Sequence, residues 1–422
     1  MKVKNTNRFS AKHVRKITVF ALVLSIVVAC FAACGKTTDG NALTKIADHL
    51  YEIYYTEDFD WAKEEAPNYG AFACSGVQNG QYRGRNYDLV YNDSDICVIH
   101  ASATANRPHA SVGVIDFNFC NGGSRSCNLD AIPFATVDGI NDAGVCIQAN
   151  VLPYGENGVI NHTATTSDDL SAISVVRYIL DNASSVQNAI SLLEAKDIHP
   201  EMDYFSEAHW MLSGPESDSS SEIKTVVIEV FPDGLHVTED FVDGKPIMTN
   251  FNISNFDGSV ESIGFGIGYE RWEILNKYYD QANSVMGTFD LMEKVFYSNF
   301  YDLYGDEFWY SDFNGTDLSD YYSADELKAL LGQQAYDDNM DAYGGVYYNP
   351  TLFDGAKALG GDIAKAGIIQ RTVLNAAEAY KEQNMQSGHL WITIHTAVYD
   401  LANLTLDIQV REAQDHYHFT IK

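Results

Sequence analysis

Residues 71–89 read AFACSGVQNGQYRGRNYDL. A small apolar run leads into Cys74, and eleven residues on comes a polar cluster, Arg85, Asn86 and Asp88. A thiol attacks an amide as its thiolate, and a free cysteine is mostly protonated at neutral pH. One remedy is a neighbouring histidine, but no short histidine signature follows any cysteine of this chain. The other is a cysteine that opens the mature chain. Its own α-amine, titrating at about 7.7–8.0, then serves as base. That remedy needs a cut between Ala73 and Cys74, a cation to favour the thiolate and an acceptor to orient the amine. A hairpin over residues 74–88 would return Arg85 and Asp88 to Cys74. Taken alone, the same residues also describe a buried cysteine beside a surface ion pair of little worth.

The start of the chain favours removal of a leader. Lys2, Lys4, Arg8, Lys12, Arg15 and Lys16 form a basic region, and ITVFALVLSIVVA (17–29) follows. This has signal-peptide length and small residues after it. It is short for a comfortable membrane span. Cys30 in VVAC and Cys34 in FAACGKTTDG both resemble a bacterial lipoprotein processing box. Cys30 has the better residue three positions before it. Cys34 has the polar tether, which favours it. The plainer alternative is an ordinary signal peptide with unmodified cysteines. Either way the chain is expected to be exported, to a bacterial cell envelope or beyond it. The expected division is 1–34 signal peptide of lipoprotein type, 35–73 propeptide or linker, and 74–422 catalytic domain.

The chain has 422 residues and 46% hydrophobic content, enough for one large domain or two modest ones. Its formal net charge of −31 argues against nucleic acid or an anionic membrane surface as partner. The 26 tyrosines suit a carbohydrate-like, lipid-like or aromatic ligand, and equally a Tyr-rich β-core. The seven cysteines include no CxxC pair, so a zinc ribbon is not expected. Cys120 and Cys127 flank NGGSRS and could bridge in an oxidising compartment. Removing the leader leaves Cys74, Cys97, Cys120, Cys127 and Cys146. That is an odd number, which singles out a reactive thiol.

The first half of residues 41–70 reads as one amphipathic helix, and Pro67 and Gly70 break the second half. From Cys74 strands dominate: ICVIHAS, ASVGVIDFNF and GVCIQANVL. Two helices come next. One has Ile173, Val176, Ile179 and Leu180 on a face, the other Val186, Ala189, Ile190 and Leu193. A strand pair returns in KTVVIEVFPDGLHVTE around Pro232-Asp233-Gly234. A helix starts near YERWEILNKYYDQA, and the C-terminal run HLWITIHTAVYDLANLTLDIQV is a strand pair. Strands, helices, strands, helices, strands suit a layered α+β fold rather than an alternating one. Residues 295–350 are aromatic and acidic, read as an insertion over the core with one helix from Ser323 to Leu331. Asp337, Asn339 and Asp341 have calcium-loop spacing, but Ala342 and Tyr348 replace the required Gly and Glu.

CSG…GRNYDL resembles the opening of the choloylglycine hydrolase family. These linear amide C–N hydrolases include bile salt hydrolases and penicillin V acylases. The resemblance continues in order through VDGINDAGVCIQANVLP, EAHWMLSG…TVVIEV, GKPIMTNFNISN, GIGYERWEIL and TIHTAVYDLANLTLDI, over residues 74–422. It implies the N-terminal nucleophile hydrolase fold, a four-layer αββα sandwich of two antiparallel sheets between helices. It implies Cys74 as nucleophile with its liberated amine as base, and Arg85 beside the thiolate. Asp88 would accept from the amine, Asn250 would stabilise the oxyanion, and Arg271 would be the second active-site arginine.

Two departures stand out. Bile salt hydrolases carry a further active-site Asn on the strand after DG-x-N. Counting from Asp138 puts Val151 there and Asn150 one residue early, on the wrong face unless a bulge intervenes. The leader is also long, where many bile salt hydrolases lose only a methionine. If Cys30 or Cys34 is lipidated, cutting before Cys74 leaves the enzyme anchored only by holding the propeptide noncovalently. The expected function is an exported cysteine amidohydrolase that cleaves a small N-acyl amide through a Cys74 thioester. No metal or organic cofactor is implied, and a homo-oligomer is compatible with this reading. The alternatives are an unprocessed, non-catalytic surface lipoprotein that binds ligands with the same fold, and an acyltransferase.

Overall fold

The computed structural model describes residues 43–61, 73–90, 95–117, 128–152, 169–199, 207–231, 233–263, 268–296, 323–331, 333, 336, 337, 340, 391–411 and 415–421. The signal segment, Cys30, Cys34, the Cys120–Cys127 pairing and most of the 295–350 insertion lie outside them.

Two sheets hold the described strands. The first has nine, in the order β1 (Thr44–Ala47), β2 (Leu50–Tyr55), β5 (Ile96–Ala101), β6 (Ser111–Asp116), β7 (Asp138–Asn141), β8 (Cys146–Leu152), β11 (Glu207–Pro215), β12 (Ile223–Phe231) and β13 (Gly234–Thr238). The second has six, in the order β14 (Ile247–Met248), β3 (Ala73–Asn79), β4 (Tyr82–Val90), β15 (Trp391–Asp400), β16 (Thr405–Val410) and β17 (His416–Thr420). A separate parallel pair joins β9 (Asp169–Ser171) to β10 (Asp197–His199).

Side chains alternate along each strand, so a strand covered on both sides is apolar throughout. In β5, Ile96 and Val98 enter the core between the sheets, where Val112, Val114, Cys74, Tyr87, Ile394, Tyr399 and Ile408 meet them. Cys97 and Ile99 point the other way, onto Phe117 and Ile132. In β11, Trp210 and Leu212 face the outer helices. These are α1 (Val175–Asn182) and α2 (Val186–Glu194), where Ser185 caps α2 by accepting from the Asn188 amide at 3.3 Å. On the outer side of the second sheet lie α3 (Tyr269–Tyr278) and α4 (Val285–Glu293). A side chain at Gly84 of β4 would put its Cβ 2.6 Å from Thr288 on α4, so glycine lets this helix seat. A further helix, α5 (Ala324–Leu331), buries Leu327. The layers are therefore helices, sheet, sheet, helices, the four-layer α+β sandwich expected.

Two expectations need correction. Residues 44–55 form the hairpin β1–β2, not a helix. Leu50 and Ile53 are spaced as on a helix face, yet they bury into different clusters on opposite sides of the strand. The exposed edge of β5 takes β2 as a neighbour, and that pairing decides the conformation. The pairing is parallel, from Leu50 opposite Ile96 to Tyr55 opposite Ala101, so the first sheet is not purely antiparallel.

Candidate active site

The β3–β4 hairpin turns at Gly80, whose φ of +55° suits glycine. Its register sets Cys74 opposite Tyr87 and Gly76 opposite Arg85, so all four positions share the face toward the first sheet. Ala73 stands opposite Asp88. Gly76 is obligatory beside the cysteine, because a Cβ there would lie 2.3 Å from Gln148 Nε2 on β8. The expected return of Arg85 and Asp88 toward Cys74 is thus present.

Cys74 is fully buried. Its amide donates to Asn250 Oδ1 at 2.8 Å, and its carbonyl accepts from Arg271 Nη1 at 2.5 Å. Arg85 Nη2 lies 3.7 Å from Cys74 Sγ and donates to the Ala149 carbonyl at 2.9 Å. Burial pushes the thiol up. Arg85, a backbone hydrogen bond from Asp88 and Arg271 pull it down, while the Asp88 charge pushes it up further. In the intact chain the net effect holds the thiol above its usual range.

Arg271 reaches the same spot from the first turn of α3. Nη1 donates to Ser75 Oγ at 3.0 Å, Nη2 donates to Asn250 Oδ1 at 2.8 Å, and Asp88 Oδ2 is 3.6 Å from Nη1. Asp88 also accepts from Thr393 Oγ1 at 2.6 Å. A bulge makes that bond: β15 pairs Thr393 with Asp88 and His395 with Tyr87, leaving Ile394 over. Gly268 precedes α3 at φ +89°, and a Cβ there would sit 2.5 Å from Arg271 Nη2. Its missing side chain makes room for the guanidinium.

Asn250 follows β14. Besides accepting from Cys74 and Arg271, it donates through Nδ2 to the Val151 carbonyl at 2.6 Å. Asn150 faces the site side. Asp138 pairs with Gln148, and β8 stays in register with β11 from Cys146 to Leu152 without a bulge. Asn150 therefore shares a face with Gln148, whose Nε2 donates to its Oδ1 at 3.1 Å. Asn150 Nδ2 in turn donates to the Thr249 carbonyl at 2.9 Å, one residue from Asn250. The gap-free count that turned Asn150 away does not hold.

Sequence reasoning missed two groups. Asp138, noticed only as part of a motif, is fully buried against Arg85 Nη1, takes the Tyr399 hydroxyl, and lies 3.2 Å from His395 Nε2. Burial works against its charge, but Arg85, His395 and Tyr399 outweigh it and hold the carboxyl below the usual range. Burial lowers His395, more than Asp138 raises it. The second group is His209 and Glu229, 3.1 Å apart on β11 and β12. Glu229 accepts the amides of Ile253 and Ser254 at 2.8 and 2.9 Å, and His209 Nε2 is 2.8 Å from the Thr249 carbonyl. Together they pin the segment that carries Asn250. Among the described residues Cys97 and Cys146 are also free and buried, Cys146 being pushed up by burial to about 12. No cluster of three or more His, Cys, Asp or Glu among the described residues could hold a metal.

The site thus sets a thiol between two guanidiniums, a carboxylate and a carboxamide. The comparisons with known proteins bear on what that arrangement belongs to. The family model of linear amide C–N hydrolases, choloylglycine hydrolase family, matches residues 73–286. Among solved structures, a mutant of the conjugated bile acid hydrolase of Clostridium perfringens is 14% identical, with 83% of this chain and 92% of that one covered and a TM-score of 0.40. A variant of the same enzyme is 13% identical, covering 82% and 92%, with a TM-score of 0.40. The penicillin V acylase of Agrobacterium tumefaciens is 16% identical, covering 82% and 86%, with a TM-score of 0.33. No curated protein matches the chain. The match starts one residue before Cys74 and spans half of the chain: the protein belongs to the choloylglycine hydrolase family, hydrolases of non-peptide C–N bonds in linear amides.

Proposed function

We propose that the protein is an exported amidohydrolase whose Cys74, freed by a cut after Ala73, cleaves N-acyl amides through a thioester. The observation that carries this reading is the position of Cys74. Asn250 sits on its nitrogen, Arg271 on its carbonyl and Arg85 beside its sulfur. Hydrolysis of the Ala73–Cys74 bond consumes one water and turns the Cys74 amide into an amine. That amine takes the Sγ proton, and Arg85 stabilises the thiolate it leaves. Asp88, opposite Ala73 in the hairpin, orients the amine.

The thiolate attacks the acyl carbon, and the carbonyl oxygen gains negative charge. One Nδ2 hydrogen of Asn250 serves the Val151 carbonyl, and the other is assigned to that oxyanion. The ammonium returns its proton to the leaving nitrogen, the C–N bond breaks, and a thioester remains. The amine then deprotonates a water that attacks the thioester, releasing the acid and restoring the thiol. The buried, elevated thiol of the intact chain supports a dormant precursor. The leader sequence supports export, and its Cys30 or Cys34 supports lipid attachment.

Protein isolated from its native envelope should begin Cys-Ser-Gly, and Cys74→Ser should lose nearly all amide hydrolysis. A mature chain beginning at Cys34 with the leader intact would refute the reading. The preferred acyl group is assigned as apolar or aromatic, because the 295–350 stretch is rich in aromatic residues and carboxylates. Higher kcat/KM for taurine or glycine conjugates of bile acids than for penicillin V and N-acyl amino acids would overturn that assignment.

A further inference from the structure

The cut before Cys74 would separate residues 43–61 from the catalytic chain, yet these residues are built into the first sheet. β2 pairs with β5 along its whole length, six residues on each strand. Leu50 closes the core between the sheets, and Ile53 and Tyr55 complete the cluster around Ile99 and Phe117. Leu50 and Ile53 have no exposure at all. Without β2, the apolar strand β5 would become a bare sheet edge, a template for aggregation.

Contacts continue past the strand. The Tyr55 carbonyl accepts from the Ser102 amide at 2.9 Å and from Arg107 Nη2 at 3.3 Å. Asp58 takes the Thr104 hydroxyl, and Asn106 Nδ2 donates to it at 2.6 Å. The Phe59 ring lies 4.2 Å from the Arg107 guanidinium and 5.4 Å from that of Arg177. Both arginines are buried, so the ring meets cations with little water to screen them. Breaking one peptide bond between residues 61 and 74 touches none of these contacts.

We propose that the segment 43–61 stays on the enzyme after the cut, as a second, noncovalently held chain that completes the nine-stranded sheet. This rests on the reading that Cys74 is released. Its consequence is that whatever is attached to the leader remains attached to the enzyme.

The test uses two forms of the full chain, each tagged at the C-terminus. One is the natural sequence. The other is Cys74→Ala with a site-specific protease sequence in place of residues 64–69, cut after folding. Denaturing mass spectrometry reports whether each chain is cut. Native size exclusion after a hundredfold dilution reports whether the fragment stays. The expected result is a one-to-one complex for every cut chain. A cut chain that stays folded and runs without its fragment overturns the proposal. A natural chain found uncut speaks against release of Cys74 instead, and the protease-cut form still decides retention. In that form Phe59→Ala, which leaves β2 intact, should lower the urea concentration at which the fragment departs. An unchanged concentration overturns the assigned surface beyond the strand.

Discussion

Replacing Asp138 with Asn keeps the shape of the side chain and removes its charge. Asp138 and Arg85 are both without exposure, and Asp138 is the carboxylate that Arg85 pairs with. In the variant the guanidinium keeps the Ala149 carbonyl and the face of Tyr87, 4.9 Å away, but no anion at that contact. Breaking one side of a buried pair costs about 3–5 kcal/mol, because the remaining charge is stranded in low dielectric. Urea unfolding of Asp138→Asn in a Cys74→Ala background, where the chain is a single species, measures the loss. The pH dependence carries a second check. The folded state holds the Asp138 carboxyl below its ordinary value, so its stabilisation is present above the unfolded value of about 3.9. It is lost as pH falls through the folded value. The gap between the two chains should therefore be full at pH 7 and pH 5 and narrow below about pH 4. A gap under about 1 kcal/mol at pH 7, or one that stays constant down to pH 3, would refute the reasoning.

Other outcomes rest on the same geometry. Asn250→Ala should lower kcat by about 10²–10³ with the fold retained, measured by steady-state kinetics beside circular dichroism. Asn150→Ala removes one buried hydrogen bond to the Thr249 carbonyl, and about 1 kcal/mol of lost positioning predicts roughly a fivefold fall in kcat. Gly268→Ala forces a methyl against Arg271 at positive φ, for a strain of about 1–3 kcal/mol. It should depress turnover more than Gly258→Ala, which shares the positive φ but meets only Val242.

The strands at 96–101, 111–116, 146–152 and 223–238 were legible because their apolar residues alternate between Gly, Asn and Asp turns. Ser185 announced α2 through its capping bond. β2 was not legible as a strand. Its Leu50 and Ile53 have the spacing of a helix face, and only the open edge of β5 decides between the two. Cys74, Arg85 and Asp88 share one hairpin, so fifteen residues of sequence suffice to bring them together. Asp138 could not be paired with Arg85 in the same way, because the contact crosses from one sheet to the other over 53 residues. Nor could Glu229 be read as the anchor of residues 253 and 254, since its role depends on backbone amides.

The bulge at Ile394 ties the site to the last strands of the chain. Thr393, which bonds Asp88, is made 305 residues after it, and His395 is made 257 residues after Asp138. At about 5–20 residues per second, roughly 15–60 s separate the birth of Asp88 from that of its partner. During that interval β4 has no neighbour on the side where β15 will lie, and Asp138 lacks Tyr399 and His395. The nucleophile is thus among the earliest parts of the fold to be synthesised, and its surroundings among the last. A ribosome that stalls before residue 391 yields a chain with Cys74 but without the strand that fixes Asp88. Assembly of the site becomes a test of whether the message was read to its end.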